Sequence, residues 1–579
     1  MLPRQEEGFE TFACESDTNR NLTKQLLHLA LLDRCRRELP PGQFREHPKP
    51  FRRRVYLLIR EYPEGRQEVW FEPFYLQAAR TFGFLVDFTF ATQPEHRGSR
   101  RAQQLALSLD GRFLANTEFY ADRFAKIDGL VRQLHGFLFT LDVFGAAVTI
   151  SKQLVSLPSS ALRPKRYIFG DNRPSASQFV GVKEHGALKP APPDARLYFL
   201  YRPEDKALSQ DLYRALTGHF RTFPGFEPMF RMPLGKQNVT GIAMTDFSPE
   251  ELRRAAGAIE CDADGRPAVP IVLTPFDAHD EEDAKAPYWR LKHEFLSRRL
   301  PTQVVSINTL RDTNTFKWAV SNIGLGVFAK LGATPWKVDP HTRDCLIIGI
   351  GQAHRRDATG AISRYYAYSV LTDSCGIYEE MRVLAEKTAE EDYLDQLRAT
   401  LRSIIDDYSD RFRSFVVHAT FAISWREMEA VRSVLQSAGR QPEAGRLISL
   451  KFDEDSKFFG YDFAHNSYVP YESTFVRLDR NEYLIWFEGL QFHNATVRKR
   501  YGRPLHVRFD YPRGDLAERE KLGYLQDAVN LSGATWRGFN AKSLPVSVYY
   551  AKIIARYIGR FQEFGLPEID FTGLPPWFL

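Results

Sequence analysis

The apolar positions in the first third of the chain fall into two patterns. Residues 22–35 place leucines at helical spacing and predict a helix. Residues 55–59, 69–74 and 84–90 are short aromatic and β-branched runs that predict strands. Together they predict an α+β region that fills residues 1–190. Pro190, Pro192 and Pro193 crowd the end of it. Their missing N–H groups and fixed φ suit neither a helix interior nor a central strand, so a domain boundary is expected there.

Beyond that boundary the pattern alternates. A strand at 197–200 precedes a helix at 209–220, and Ser248-Pro249-Glu250-Glu251 reads as a capping box opening a helix that runs to about residue 260. The apolar run 269–273 predicts a buried strand, followed by an acidic loop at 277–283, a helix at 287–299, a strand at 304–307 and a long helix at 313–331 closed by Gly332. This is the period of a doubly wound α/β domain, whose ligands sit beyond the carboxyl ends of the strands. After Pro335 and Pro340 a third α/β region is expected, with strands at 345–350, 365–370 and 414–418 and helices over 379–407.

Composition narrows the class. The chain has 579 residues, 43% of them hydrophobic and 26% charged, which suits several folded domains and excludes a disordered or fibrous protein. A net charge of +6 permits a phosphate-bearing partner without demanding one. The five cysteines form no CxxC or Cys/His ligand spacing, so neither a disulfide framework nor a zinc site is expected, and a reducing cytoplasm fits. An acidic start and the lack of a long apolar stretch predict a protein neither exported nor membrane-spanning.

Candidate chemistry gathers between residues 288 and 330. Tyr288 and Lys292 are four apart and share a helix face; Gln303 opens the next strand; Lys330 closes the long helix on the stripe of Asn322 and Gly326. An aromatic ring, two ammoniums and an amide brought together suit a terminal nucleotide, the ring stacking on a base and the others holding a phosphate. Spacing alone does not separate this from charges that merely solvate a helix face.

A resemblance does. Tyr288-Trp289-Arg290-Leu291-Lys292, the run 301–310, Lys317-Trp318-Ala319-Val320-Ser321-Asn322-Ile323 and the run 329–336 resemble the MID domain of a prokaryotic Argonaute. In that family the tyrosine, glutamine and two lysines bind the phosphorylated 5′ end of a guide strand, which implies that role for Tyr288, Lys292, Gln303 and Lys330. Some relatives add a divalent cation such as Mg²⁺, held by a polar side chain one turn before the second lysine and by the C-terminal carboxylate. Gly326 stands at that turn here, which leaves the ion open, with the carboxylate of Leu579 and the more distant Asn322 as its candidate ligands.

Downstream, Leu346-Ile347-Ile348-Gly349-Ile350, then Val416-Val417-His418 and Pro545-Val546-Ser547-Val548-Tyr549-Tyr550-Ala551, resemble an RNase H-like PIWI domain. The likeness covers about residues 195–579, with a looser echo before it. The fold it implies is α/β: a Rossmann-like MID domain at 191–338 and a PIWI domain at 339–579, preceded by an α+β N-terminal and linker lobe at 1–190. Residues 167–186 resemble the linker that runs into MID, and too little chain precedes them for a PAZ domain.

RNase H-type cleavage needs clustered carboxylates that hold two Mg²⁺ ions about 4 Å apart. At the three positions where active Argonautes carry those ligands this chain has Gly351, Thr420 and Lys552, so the PIWI domain is expected not to cut. The alternative is an active guide-directed nuclease using Asp344, Asp357 or Asp373. A third reading is an interaction protein that keeps the fold alone. Arg498, Lys499 and Arg500 are candidates for guide or target backbone contact, as are the basic runs 52–54 and 97–101. The resemblance implies an inactive Argonaute without PAZ that holds a 5′-phosphorylated guide, DNA or RNA, and pairs complementary plasmid or phage DNA. Its output would be recruitment of a separate nuclease, helicase–nuclease or NAD-depleting partner.

Overall fold

The structure is a computed structural model describing residues 16–49, 51–143, 146–220, 222–276, 286–356, 362–387, 389–420, 423–438, 446–491, 495–511 and 516–579. The chain packs into two compact units. One comprises residues 1–161 with 453–507, the other 162–452 with 508–579. None of the described helices is long and apolar enough to cross a membrane.

In the first unit the expected helix is α1 (Arg20–Glu38), opened by Asn19, whose side chain accepts the N–H of Leu22. It lies against an antiparallel sheet in the order β1 (Phe44–Glu46), β2 (Val55–Tyr62), β3 (Gly65–Leu76), β4 (Thr81–Thr92). Leu31 and Leu32 of the helix meet Val55, Leu57, Val69 and Phe71 of the sheet in one core, which helix α2 (Phe119–Leu138) completes with Ile127, Leu130 and Leu134. Both faces of the arrangement therefore follow from the leucine spacing and the alternating strands. From α2 the buried Arg123 guanidinium reaches the Asp87 carboxylate of β4 at 2.6 Å, each charge matched by the other.

The second unit opens with a parallel sheet. Strand β5 (Arg196–Tyr201) is flanked by β6 (Val239–Ala243) and β7 (Ala268–Thr274), and β8 (Gln303–Ser306) adds to β7 as the edge. Every residue of β7 is buried, as a central parallel strand covered on both faces requires. Helix α3 (Lys206–Leu216) starts and ends earlier than expected. Helix α4 (Pro249–Ala263) begins where the capping box predicts, with Ser248 Oγ accepting the Glu251 N–H at 3.3 Å, but the other half of the box is exchanged: the Ser248 N–H goes to Asp246 at 2.8 Å and the Glu251 carboxylate accepts the Thr245 N–H at 2.9 Å. Helix α5 (Ala286–Ser297) precedes β8, and α6 (Thr313–Lys330) follows it. The acidic loop 277–283 lies outside the described residues.

A mixed sheet follows in the same unit. Strand β9 (Cys345–Arg356) pairs antiparallel with β10 (Ile362–Asp373), and β10 in turn with β11 (Tyr378–Lys387). The start of the helical stretch expected at 379–407 is thus a strand, and the helix, α7 (Glu390–Tyr408), begins only after it. Glu, Met, Leu, Ala and Lys give 379–387 a helical bias, but pairing with β10 and burial of Met381, Leu384 and Ala385 outweigh it. On its other edge β9 pairs in parallel with β12 (Ser414–Thr420), which pairs with β13 (Arg446–Asp453). Helix α8 (Trp425–Ala438) covers one face, its Val431, Val434 and Leu435 packing with Ile348 and Val417. Helix α9 (Glu518–Leu531) precedes α10 (Val546–Glu563), which lies directly on β9.

Two glycines make that contact possible. A Cβ at Gly349 would stand 2.2 Å from the Ser547 carbonyl oxygen, and one at Gly351 would stand 2.3 Å from that of Ala551. Backbone meets backbone here, which no side chain permits.

Candidate functional site

The residues singled out between 288 and 330 come together around α5, the start of β8 and the end of α6. Lys292, mid-way along α5, donates its ammonium to the carbonyl oxygen of Thr302, immediately before β8. Gln303, the first residue of β8, accepts at Oε1 the ammonium of Lys330 at 2.6 Å. Tyr288 sits one turn earlier on α5, buried, with its hydroxyl 3.1 Å from that of Tyr557 on α10. The cluster therefore lies at the amino end of the edge strand. A doubly wound sheet predicts the opposite end; α5 and α6 run antiparallel to the strands and carry both lysines back to where β8 begins.

Both ammoniums are buried, Lys292 to 6% and Lys330 to 1% exposure. Burial lowers the Lys292 pKa below its ordinary 10.5; the Tyr557 phenol opposes this and Arg537 adds to it. Lys330 falls well below 10.5 through burial, reinforced by Lys292 and Arg537. Among the described residues neither lysine forms an ion pair with a carboxylate; the acidic neighbour is the phenol of Tyr557, which burial alone would push up and which Lys292 and Arg537 hold below its usual value. A buried positive charge without a counter-ion costs several kcal/mol even after relaxation, of order 5. Such a site has the charge to accept an anion.

A pH dependence follows from the two lysines. Above 10.5 they are uncharged both folded and unfolded; below it the unfolded chain binds protons that the folded site resists. The ligand-free protein is therefore expected to gain stability from these groups as the pH rises from neutrality toward 10.5, as read by denaturant melts at stepped pH. Saturating phosphorylated oligonucleotide should flatten or invert that slope, because the anion favours the charged lysines. An unchanged slope in the presence of ligand would place the anion elsewhere.

Sequence reading missed Arg537 and Tyr557. Arg537 is exposed, in the loop between α9 and α10, and its charge acts on both lysines. Asn322, a candidate for backbone or ion contact, instead holds that loop: its Oδ1 accepts the Phe539 N–H at 3.3 Å and lies against Gly538. Leu579 is buried in a tail whose Trp577 and Phe578 pack on Tyr557 and Tyr550; its N–H bonds the Pro576 carbonyl at 3.3 Å. Arg498, Lys499 and Arg500 belong to the other compact unit and are exposed. Lys499 pairs with Glu488 at 2.6 Å, and Arg500 donates to Ser108 at 2.7 Å.

The positions read as lost catalytic ligands also meet. Gly351 faces the Ala551 carbonyl, next to Lys552, and the neighbouring Ile350 registers with Ala419, beside Thr420. Below them His418 is buried, its Nδ1 2.8 Å from Ser547 Oγ, and burial lowers its pKa to about 3, so it stays neutral in the core. Asp373 pairs in register with Leu346, near the start of β9 and before Gly351 at mid-strand, and accepts the Ile377 N–H at 2.8 Å; burial raises it to about 6. Asp344 is exposed just before β9. Asp357 lies outside the described residues. Among the described residues no three His, Cys, Asp or Glu side chains gather as a metal-holding group.

The chain is similar to known proteins in sequence and in fold. Residues 280–563 match the Piwi domain family. The chain is 25% identical over 313 residues to a Piwi protein of Archaeoglobus fulgidus, a stretch covering 50% of this chain and 71% of that one. It is 23% identical over 333 residues to an argonaute protein of Cereibacter sphaeroides, covering 50% of this chain but 40% of that longer protein. Among solved structures, that of Clostridium butyricum Argonaute bound to a guide DNA and a 19-mer target DNA superposes with a TM-score of 0.67 at 11% identity, over 97% of this chain and 88% of that one. Drosophila Piwi superposes with a TM-score of 0.66 at 14% identity, over 98% and 87%. Residues 280–563 thus match the Piwi domain family, the chain has the fold of Argonaute and Piwi proteins, and about half of it is similar in sequence to one protein of each kind.

Proposed function

We propose that this protein holds a short guide strand by its 5′ phosphate in the Lys292–Lys330 cluster and uses the guide to pair complementary DNA, without cutting it. The observation that carries the reading is the pair of buried ammoniums with no carboxylate partner among the described residues. A phosphate supplies the missing charge, and the amide of Gln303 and the hydroxyls of Tyr288 and Tyr557 add neutral hydrogen-bonding groups around it. The Clostridium butyricum relative in the complex named above carries a guide DNA and a target DNA. Sequence specificity would then reside in base pairing rather than in side chains.

Lack of cleavage is supported by the chemistry at the three equivalent positions: Gly351 has no side chain and no room for one, Thr420 is a neutral alcohol, and Lys552 carries positive charge. The sheet register sets Asp373 beside Leu346 and Tyr368 beside Gly351, and Asp344 precedes β9, so neither aspartate is in register with Gly351. The N-terminal region is read as a lobe without PAZ: its described elements up to residue 161 include a four-stranded sheet and helices, and residues 167–186, read as the linker, belong to the second unit. A binder that does not cut must act through something else, so the output is recruitment of a separate effector such as a nuclease or helicase–nuclease against plasmid or phage DNA.

The test is to load the purified protein with a 5′-phosphorylated guide and add labelled complementary single-stranded DNA with Mg²⁺ or Mn²⁺. The expected result is retention of an intact target that scrambled DNA does not share. Guide-directed cleavage abolished by EDTA would favour the nuclease reading, and failure to retain target would leave only the fold.

A further inference from the structure

We propose that the 5′-phosphate site works without a divalent ion, and that Arg537 is a phosphate-contacting residue supplying, with Lys292 and Lys330, the charge an ion would bring. This inference rests on the reading of the cluster as a guide-phosphate pocket. Hard divalent cations take oxygen ligands, above all carboxylates. One turn before Lys330 stands Gly326, which offers no donor, and a Cβ there would lie 3.3 Å from Gln303 Oε1, so the glutamine amide adjoins the space a ligand side chain would use. That oxygen is already engaged by the Lys330 ammonium. The Leu579 carboxylate, the remaining ligand suggested by resemblance, makes no ion pair with Lys292, Lys330 or Arg537 among the described residues. The two ammoniums, with the charge of Arg537 acting on both, disfavour a further cation.

Arg537 is placed to take the ion's part. Its guanidinium makes no hydrogen bond or ion pair among the described residues, yet its backbone is held on both sides. Trp536 donates its N–H to the Tyr550 hydroxyl at 2.9 Å and its indole N–H to the Trp336 carbonyl at 3.2 Å. Asn322 takes the Phe539 N–H two residues on. A fixed root with an unpaired planar fork at its tip suits two-point contact with phosphate, which a lysine cannot reproduce.

The experiment measures the affinity of the full chain for one oligonucleotide carrying either a 5′ phosphate or a 5′ hydroxyl, in EDTA and in Mg²⁺ at matched ionic strength. The ratio of the two affinities cancels the general salt effect on backbone binding. That ratio is expected to agree within about twofold between the two buffers. Arg537→Ala should lower it by about 10- to 100-fold, the loss of a charge-assisted contact, and Arg537→Lys should recover only part. Collapse of the wild-type ratio in EDTA would overturn ion independence, and an unchanged ratio in Arg537→Ala would overturn the role of Arg537. No phosphate preference in either buffer would instead overturn the phosphate-site reading itself.

Discussion

Replacing Lys292 and Lys330 together with methionine is expected to give a protein that is more stable without a guide and unable to hold one. The two effects share a cause. Each ammonium is buried, and neither has a carboxylate partner in the described structure. Exchanging buried charge for an apolar chain of similar volume is often stabilising, by about 1–4 kcal/mol. The same change would remove the two proposed charge-assisted hydrogen bonds to phosphate, worth roughly 1.5–3 kcal/mol each, or on the order of 10²- to 10⁴-fold in affinity. Thermal melts of the ligand-free variant and titration with a 5′-phosphorylated guide read the two separately. A structural role for the lysines predicts lower stability with binding unchanged, the reverse of what is expected here.

Placing a side chain at Gly351 is expected to damage the fold rather than create a nuclease. An alanine Cβ would stand 2.3 Å from the Ala551 carbonyl oxygen, and that oxygen belongs to helix α10, whose Tyr550, Ala551 and Ile554 are themselves buried. Relief requires moving the helix. A cost of about 3 kcal/mol or more is expected for Gly351→Ala, at the upper end of overpacking effects. Gly351→Asp should cost more, since it also buries a charge. Chemical denaturation of the alanine variant checks the first figure. The triple change Gly351→Asp, Thr420→Asp and Lys552→Asp should remain without guide-directed cleavage; wild-type stability in Gly351→Ala would mean that β9 and α10 are looser than the packing implies.

Parts of this picture were legible in the residues alone, and they were the local parts. Ser248 and Glu251 announce a helix start because the capping bond spans three residues. The buried run at 268–274 and the leucine spacing of α1 give their elements directly. Residues 378–387 did not, because their composition favours a helix and only a distant strand overrules it. At the site, Tyr288, Lys292, Gln303 and Lys330 lie in three consecutive elements, so spacing and resemblance could collect them. Tyr557, 269 residues from Tyr288, and Arg537 in a loop of ordinary composition gave no signal. Their role depends on how α10 and the loop before it fold back on α5. The end of the sheet was legible too: Gln303 opens its strand and Lys330 closes its helix, which puts both at the amino end of β8 rather than at the carboxyl end that a doubly wound sheet favours.

The most direct measurement is to purify the protein from cells carrying a plasmid, extract the nucleic acid that comes with it, and attempt to label its 5′ ends with kinase before and after phosphatase treatment. A guide held by its 5′ phosphate predicts short strands that label only after phosphatase, and a Lys292→Met, Lys330→Met variant that comes down empty. Strands that label without phosphatase, or a double variant carrying as much nucleic acid as the wild type, would contradict the account.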